Sequence, residues 1–274
     1  MSFPNTVYGK SGWEKVETSD QRHKLGTRMS FGAIQSGRYG FEKQTHSAKR
    51  QVYGATMALP DGRVYRYVEN GGTAIAEGLV VASEAPAGNH DEDLVVATTG
   101  SAGGFTIGVT LGGTAAAKDL YAEGYIFSNL ASTTPHEMYK IKGHPAIDSS
   151  GTGTITIDEP DGFQTAITAG TDTVGLIKSP YKDIVVAPAA VAGRFVGVTC
   201  ADLEADYYGW VQVAGLASVK IDGTPAVGTL VGASSNHTGQ LLAVAADTTP
   251  ALGRLHGKAG VDNEFHTVML MNLN

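Results

Sequence analysis

Residues 209–223 of the chain read GWVQVAGLASVKIDG, in which Val219 and Ile221 alternate with the polar Lys220. Such alternation is typical of a half-buried antiparallel strand, and the Asp-Gly pair that follows favours a tight turn. Further apolar runs of strand length follow at residues 240–244 and 265–270. The last third of the chain therefore predicts a β module with few polar side chains suited to catalysis.

The middle of the chain has the same character. Residues 63–69 lie between Asp-Gly and Asn-Gly-Gly, so they predict a strand that turns directly into a second strand at residues 74–81. Residues 151–158 alternate and place Ile155 and Ile157 on one face. The remaining candidates are strands at residues 173–177 and 183–188 and one short helix at residues 115–121. No self-similar period indicates a solenoid or a propeller.

Composition favours an all-β fold. Glycine supplies 36 of 274 residues, roughly twice the usual share of about 7%, and charged residues make up 17% against the usual value of about 25%. We expect an antiparallel sandwich or barrel-like modules. Cys200 has no second cysteine with which to form an intrachain disulfide. No secretion signal or apolar stretch near twenty residues is visible, so synthesis in the cytosol and no membrane insertion are expected.

Three segments of the last third resemble a known class of virion protein. They are WVQVAG at residues 210–215, GTLV at 228–231 before a Gly-Gln turn, and LGRLH at 252–256 before the closing strand. Their order and content resemble the C-terminal half of tailed-phage head decoration, or capsid cement, proteins. DGRVYRYVENG at residues 61–71 is similar to a strand of such proteins. The resemblance implies a non-enzymatic protein that binds the major capsid protein, as a homotrimer or other small homo-oligomer.

Charge is unevenly distributed and predicts an N-terminal arm. Residues 1–50 contain nine Lys or Arg and four acidic residues, which gives +5, and the remainder contains eleven and twenty-three, which gives −12. The first segment is also rich in glycine and has little hydrophobic periodicity. We predict an extended basic arm at 1–50, a β-rich domain at 51–195 and a C-terminal β module at 196–274. Three roles for this arm remain open. It crosses an acidic neighbouring subunit, it stays a solvated tail, or it contacts nucleic acid. Its basic residues are sparse for the third role, because nucleic-acid-binding segments usually carry denser Lys/Arg clusters.

Candidate contact residues follow from the arm and the aromatic strands. The predicted capsid-binding residues are Arg22, Lys24, Arg28 and Arg38. Tyr65, Tyr67 and Trp210 are candidate interface aromatics, although a tryptophan in an apolar strand is more often part of the core.

Candidate catalytic and metal-binding motifs have simpler interpretations. The glycine-rich stretches at 100–104 and 111–114 lack the lysine of a phosphate-binding loop, so they predict turns. His90, Asp91, Glu92 and Asp93 lack the spacing of a calcium loop. Asp158, Glu159 and Asp161 offer paired carboxylates for glycoside cleavage, but Pro160 and Gly162 among them favour a turn. The acidic neighbours of Cys200 disfavour a thiolate. No enzyme, cofactor or metal is predicted.

The resemblance therefore implies a decoration protein on the capsid exterior that stabilises the DNA-filled head, synthesised in the host cytoplasm. The alternative is a tail- or fibre-associated module that binds a host-surface glycan. A major capsid subunit would need a long spine helix, for which no amphipathic run is long enough. A carbohydrate-active enzyme is the weakest alternative.

Overall fold

The computed structural model describes residues 35–129, 136–189, 194–244 and 250–271. These residues contain no α-helix and form a β protein, as the composition predicts. One short 3₁₀ helix, η1, spans Phe41–Lys43. The strands are β1 (Gln35–Ser36), β2 (Thr56–Ala58), β3 (Val64–Glu69), β4 (Val80–Ala82), β5 (Leu94–Thr98), β6 (Thr106–Thr110), β7 (Tyr125–Ser128), β8 (Met138–Gly143), β9 (Thr152–Ile157), β10 (Thr173–Ile177), β11 (Val185–Val186), β12 (Phe195–Thr199), β13 (Tyr208–Lys220), β14 (Leu230–Ala233), β15 (Leu241–Ala243), β16 (Gly253–Leu255) and β17 (Phe265–Leu270).

The chain divides into two compact units, and the second is inserted in the first. Unit 2 is Ala85–Pro180, and unit 1 contains the residues on either side of it. Within unit 1, Val81 pairs with Val186 in antiparallel β4 and β11, so unit 2 stands where a hairpin loop would otherwise connect two neighbouring strands. This division differs from the domains predicted at 51–195 and 196–274, because strands distant in sequence pair with one another in unit 1.

Unit 2 is a closed barrel of six antiparallel strands in the order β10-β5-β6-β9-β8-β7. Its interior is filled by large apolar side chains, including Ile107, Ile126, Ile141 and Ile155, all nearly inaccessible to solvent. β9 and β10 lie close to where the sequence predicts them, and Ile155 and Ile157 both face the core. Closure pairs every strand on both edges, which removes the unpaired edges of an open sheet.

Unit 1 is built around β13, a strand of 13 residues. Its first part, Tyr208–Ala214, pairs with β3, and its second part, Gly215–Lys220, pairs with β17. Beyond these partners the sheet continues from β3 to β2 and β1, and from β17 to β16, β14 and β15. β12 also pairs with β13, and it connects to β4 and β11. β17 occupies the residues predicted for the closing strand.

A bend in β13 separates these two parts. The register with β3 shifts between Gln212 and Ala214, and Gly215 has a φ of +87°, which glycine adopts without strain. The buried side-chain amide of Gln212 donates to the carbonyls of Ala214, at 3.1 Å, and Leu216, at 3.0 Å. One side chain therefore pairs two carbonyl groups at the irregularity, and the bend is a fixed feature of the strand.

Part of the predicted arm belongs to unit 1. Arg22, Lys24 and Arg28 lie outside the described residues. Of the described part, β1 pairs in parallel with β2, and the backbones of His46 and Tyr208 exchange two hydrogen bonds, of 2.9 and 2.8 Å. Residues 35–50 are thus attached to the sheet rather than separate from it.

A turn of one kind precedes eight strands. The backbone of residue i pairs with a distant residue, and residue i+3 has a positive φ. A strand begins at i+5 or i+6, except after Ala116, where β7 begins only at Tyr125. Six of the eight i residues form isolated backbone bridges. The positive-φ residues are Gly78, Gly103, Asp119, Ser150, Gly170, Asp206, Gly228 and Asn263. Glycine, aspartate and asparagine tolerate this conformation best, which accounts for most of the set.

These turns occur in pairs. Ile75 and Leu203, Gly100 and Ile167, and Ala116 and Ile147 each exchange two backbone hydrogen bonds. A fourth pair, Pro225 and Gly260, has one bond of 2.8 Å from Gly260, because proline has no N–H to return. The repetition was invisible in the sequence, since each turn constrains the residue type at only two positions.

Two local predictions are wrong. β3 and β4 do not pair with each other as the Asn-Gly-Gly turn predicts. Instead the fully buried Asn70 directs its side-chain amide nitrogen at the carbonyls of Thr73, Leu203 and Glu204, which ties this turn to a distant segment. Residues 115–121, predicted as a helix, form turns around the bridging Ala116, and their Tyr121 is a buried core side chain.

Candidate interaction face and cavity

One outer face of unit 1 exposes large apolar side chains. β17 alternates, with Phe265, Thr267 and Met269 outward and His266, Val268 and Leu270 inward. The outward Phe265 is 54% exposed and Met269 is 44% exposed. The sequence predicted a strand at residues 265–270, but not that apolar side chains would occupy its outward positions.

The neighbouring strands extend this face. Met269 lies directly opposite Leu216 of β13 on one side and Arg254 of β16 on the other. Lys220 lies opposite Phe265, and Ser218 lies opposite Thr267. Leu216 is 40% exposed. We call these outward side chains of β13, β16 and β17 the outer face. It contains three apolar, two cationic and two hydroxyl side chains, and the hydroxyl pair lies between Phe265 and the Leu216–Met269 pair.

A cavity of about 370 Å³ also lies in unit 1, near the bend of β13. The lining comes from η1, the start of β3, the turn before β4, the end of β12, β13 and the start of β17. Its polar lining includes Tyr65, Glu42, Arg63 and Lys43. Apolar lining is supplied by Val198, Leu216 and Phe265. The cavity and the outer face share three residues, Leu216, Ser218 and Phe265.

The buried polar groups of the cavity differ in how well they are paired. Glu42 accepts a 2.6 Å hydrogen bond from the backbone of Gly40, and its other oxygen lies 4.0 Å from the Arg63 guanidinium. The hydroxyl of Tyr65 is fully buried and has no hydrogen-bond partner. Burial, with a contribution from Cys200, raises the pKa of Tyr65, so the phenol remains protonated. Burial also raises the pKa of Cys200 to about 12, which keeps this residue a thiol.

Phe265 forms one side of the cavity opening. Its ring lies over Gly78, where a Cβ atom would meet the ring at 2.4 Å. Gly78 also has a φ of +72°, so two constraints favour glycine at this position. The ring is therefore exposed but supported from below by backbone.

The predicted aromatic contacts lie mainly inside the unit. Tyr65 and Tyr67 are buried, so as surface anchors they are wrong, and Trp210 is half-buried with its ring 5.2 Å from that of Tyr67. Tyr67 stacks on Tyr208 at 6.2 Å. Tyr65 packs in an apolar cluster with Met57 and Leu59, which places it in the core. Arg38 is exposed, in the turn before η1.

The other candidate catalytic and metal-binding residues lie in or beside turns or are bonded within the core. Asp158 and Glu159 are half-buried and Asp161 lies in the turn at Gly162, which has a φ of +68°. His90 is fully buried and bonds to Tyr121 and to the carbonyl of Thr114. Within the described ranges, no group of three or more His, Cys, Asp or Glu residues is arranged to hold a metal ion.

A buried carboxylate anchors the loop after β14. Asp222 accepts hydrogen bonds from Ser234, at 2.5 Å, and Asn236, at 3.3 Å, and lies 3.3 Å from a ring nitrogen of His237. Burial alone would raise the pKa of Asp222, but the bonds from Ser234, His237 and Asn236 outweigh it and lower the pKa below the ordinary 3.8. From the sequence, Asp222 was predicted only to be part of a tight Asp-Gly turn.

We expect Asp222→Asn to destabilise the protein in a pH-dependent way. Because the pKa is lowered in the folded state, the ionised carboxylate stabilises the fold at pH values above 3.8, and this contribution disappears as the pH falls through the folded pKa. Urea unfolding should show a deficit of about 1–3 kcal/mol near neutral pH, which shrinks below pH about 4. Glu92→Gln, at an exposed position, is the matched control. A deficit that is independent of pH would contradict the assignment.

Comparison of the chain with protein-family models, curated proteins and solved structures finds no match. In the part of the chain that the structure describes, no helix has the length and apolar character to span a membrane.

Proposed function

We propose that this chain is a non-enzymatic decoration protein that binds the outer surface of a phage capsid lattice and stabilises the DNA-filled head. The observation that supports it is the outer face, which lies within residues 207–274, the region that resembles decoration proteins. On this proposal the protein resides on the virion exterior, as a homotrimer or other small homo-oligomer, with the major capsid protein as its partner.

The chemistry of the outer face fits a protein partner. Leu216 and Met269 form an apolar pair on the surface of a sheet, with Arg254 beside Met269 and the hydroxyl pair Ser218 and Thr267 next along the strands. Lys220 lies beyond that hydroxyl pair, opposite Phe265. Protein interfaces commonly combine an apolar centre with a polar rim, whereas small ligands are bound in concave sites. Methionine side chains adapt to an irregular partner surface, which suits a lattice with slightly different local environments.

The proposed mechanism is stabilisation by mass action. A protein that binds the assembled, expanded shell and not its separated subunits lowers the free energy of the shell by its binding free energy. The basic residues of the first fifty, with their charge of +5, add electrostatic attraction to an acidic neighbouring subunit.

Cryo-electron microscopy of purified virions tests this proposal. We expect density for both units at regular positions on the icosahedral shell, with the outer face turned toward capsid subunits. Density on the tail and none on the shell would overturn the proposal and favour host attachment.

A further inference from the structure

We propose that Tyr39 is a further contact residue for the capsid and that the guanidinium of Arg63 positions its ring. This inference rests on the proposed function and extends the capsid-binding surface beyond the outer face. It combines an exposed aromatic ring on a defined turn, an arginine fixed against that ring, and the packing of this arginine against the bend of β13.

The ring of Tyr39 is presented to solvent by a defined turn. Tyr39 is 57% exposed, whereas Tyr65 and Tyr121 are buried. The turn is closed by a 3.1 Å backbone hydrogen bond that Phe41 donates to the carbonyl of Arg38. A ring so exposed contributes little to the core of unit 1. Tyrosine and arginine are enriched among the residues that dominate protein–protein binding, so an exposed tyrosine on a fixed turn is a candidate contact.

Arg63 fixes the position of this ring. Its guanidinium lies 5.9 Å from the centroid of the Tyr39 ring, within the range of a cation–π interaction. Asp61 accepts a 2.8 Å hydrogen bond from Nε of Arg63 and a 3.1 Å bond from its backbone N–H, and a carboxylate oxygen of Glu42 lies 4.0 Å away. Because the arginine is held in this way, the ring that stacks on it loses less conformational entropy on binding.

Arg63 also connects this ring to the outer face. A Cβ atom at Gly215 would lie 3.1 Å from Cα and 3.2 Å from Cγ of Arg63, so the arginine packs against the bend of β13. Leu216 of the outer face is the next residue, and Arg63 and Leu216 line the same cavity. A specific interface usually includes about 20–30 residues on each side, so the seven side chains of the outer face are only part of one. Tyr39 continues that surface across the bend.

The neighbour of Tyr39 indicates the chemistry of the capsid group at this point. Arg38, which the sequence predicted as a capsid-binding residue, precedes Tyr39 in the same turn and is exposed. A guanidinium only donates hydrogen bonds, and a phenol hydroxyl can donate one. Two adjacent donors suit a carboxylate, which accepts charge-assisted bonds. The expected partner group is therefore an acidic side chain of a capsid subunit, which fits the charge of +5 in residues 1–50.

Co-sedimentation of the full chain with capsids from which the native protein has been removed tests the proposal. Tyr39→Ala should weaken binding roughly tenfold or more. Arg63→Met keeps the aliphatic stem but removes the guanidinium, and it should weaken binding less. The variant with both substitutions should bind no more weakly than Tyr39→Ala alone, because Arg63 acts through the ring. Phe105→Ala, at a 46% exposed aromatic residue of unit 2, is the matched control and should bind normally.

The folding and the oligomeric state of Tyr39→Ala are measured by thermal unfolding and sedimentation velocity, and both should match the wild type. Wild-type binding by Tyr39→Ala, with binding lost in the variant Leu216→Glu/Met269→Glu, would overturn this inference and leave the proposed function in place. Failure of the wild-type chain to bind capsids would overturn both. A smaller oligomer for Tyr39→Ala would also overturn it, and would assign the ring to a contact between copies of this chain. Additive losses from Tyr39→Ala and Arg63→Met would remove the positioning role of Arg63.

Discussion

Replacing both Leu216 and Met269 by glutamate should weaken binding to capsids at least a hundredfold. The two side chains are cross-strand neighbours at the centre of the outer face. In a docked complex two carboxylates would share one neighbouring cation, Arg254, so at least one negative charge would be buried without a partner. Burying an unpaired charge costs several kcal/mol. The measurement is co-sedimentation of purified protein with capsids from which the native protein has been removed.

The folding of this variant must be separated from its binding. Both positions are exposed, so the substitution removes little core packing, and repulsion between two carboxylates on neighbouring strands costs roughly 0.2–1 kcal/mol. Met138→Glu, at a 52% exposed methionine on β8 of unit 2, is the matched control and should bind normally. Wild-type binding by a folded double variant would show that the outer face is not the contact.

Unit 2 should fold when it is produced alone as residues 85–180. It has its own apolar core and a closed barrel, and its first and last strands pair through Leu94 and Val174. We expect a single cooperative urea transition and a dispersed amide NMR spectrum. The fragment 51–195, the domain predicted from sequence, should instead aggregate or remain partly unstructured, because it contains β3 without β13.

The reverse deletion is equally informative. Joining Glu84 to Tyr181 by a short Gly/Asn linker should preserve unit 1 and its binding to capsids, since the two ends of the deletion flank the paired strands β4 and β11. A fragment 85–180 without a cooperative transition, or failure of the linked unit 1 to fold, would mean that the two units depend on each other for stability.

Strands were predictable wherever alternation of side chains was strong. β9 and β17 were expected within a residue or two of their observed positions, and one face of each is buried while the other is more exposed. β10 was also expected where it lies, although its three central residues are all buried. Pairing was not predictable in the same way. The Asn-Gly-Gly turn after β3 has the composition of a hairpin, but the side chain of Asn70 bonds to carbonyls more than 130 residues away.

The candidate site was harder to infer. Tyr65 and Tyr67 were predicted as surface contacts but are buried, because a sequence does not reveal which side chains pack on the face of a strand. Phe265, Leu216 and Met269 were overlooked because apolar residues in a strand are ordinarily assigned to the core. The one available signal was that β17 has apolar residues at both its inward and its outward positions.

The insertion of the barrel has a kinetic consequence. Val81 and Val186 are 105 residues apart, since 186 minus 81 is 105, yet they are paired in unit 1. Closing a flexible loop of about 100 residues costs about 2 kcal/mol more than closing one of about 10. A folded barrel removes most of that difference, because Leu94 and Val174 are already neighbours within it. During synthesis, unit 2 is therefore expected to fold first and to shorten the effective loop between β4 and β11, which accelerates their pairing in unit 1.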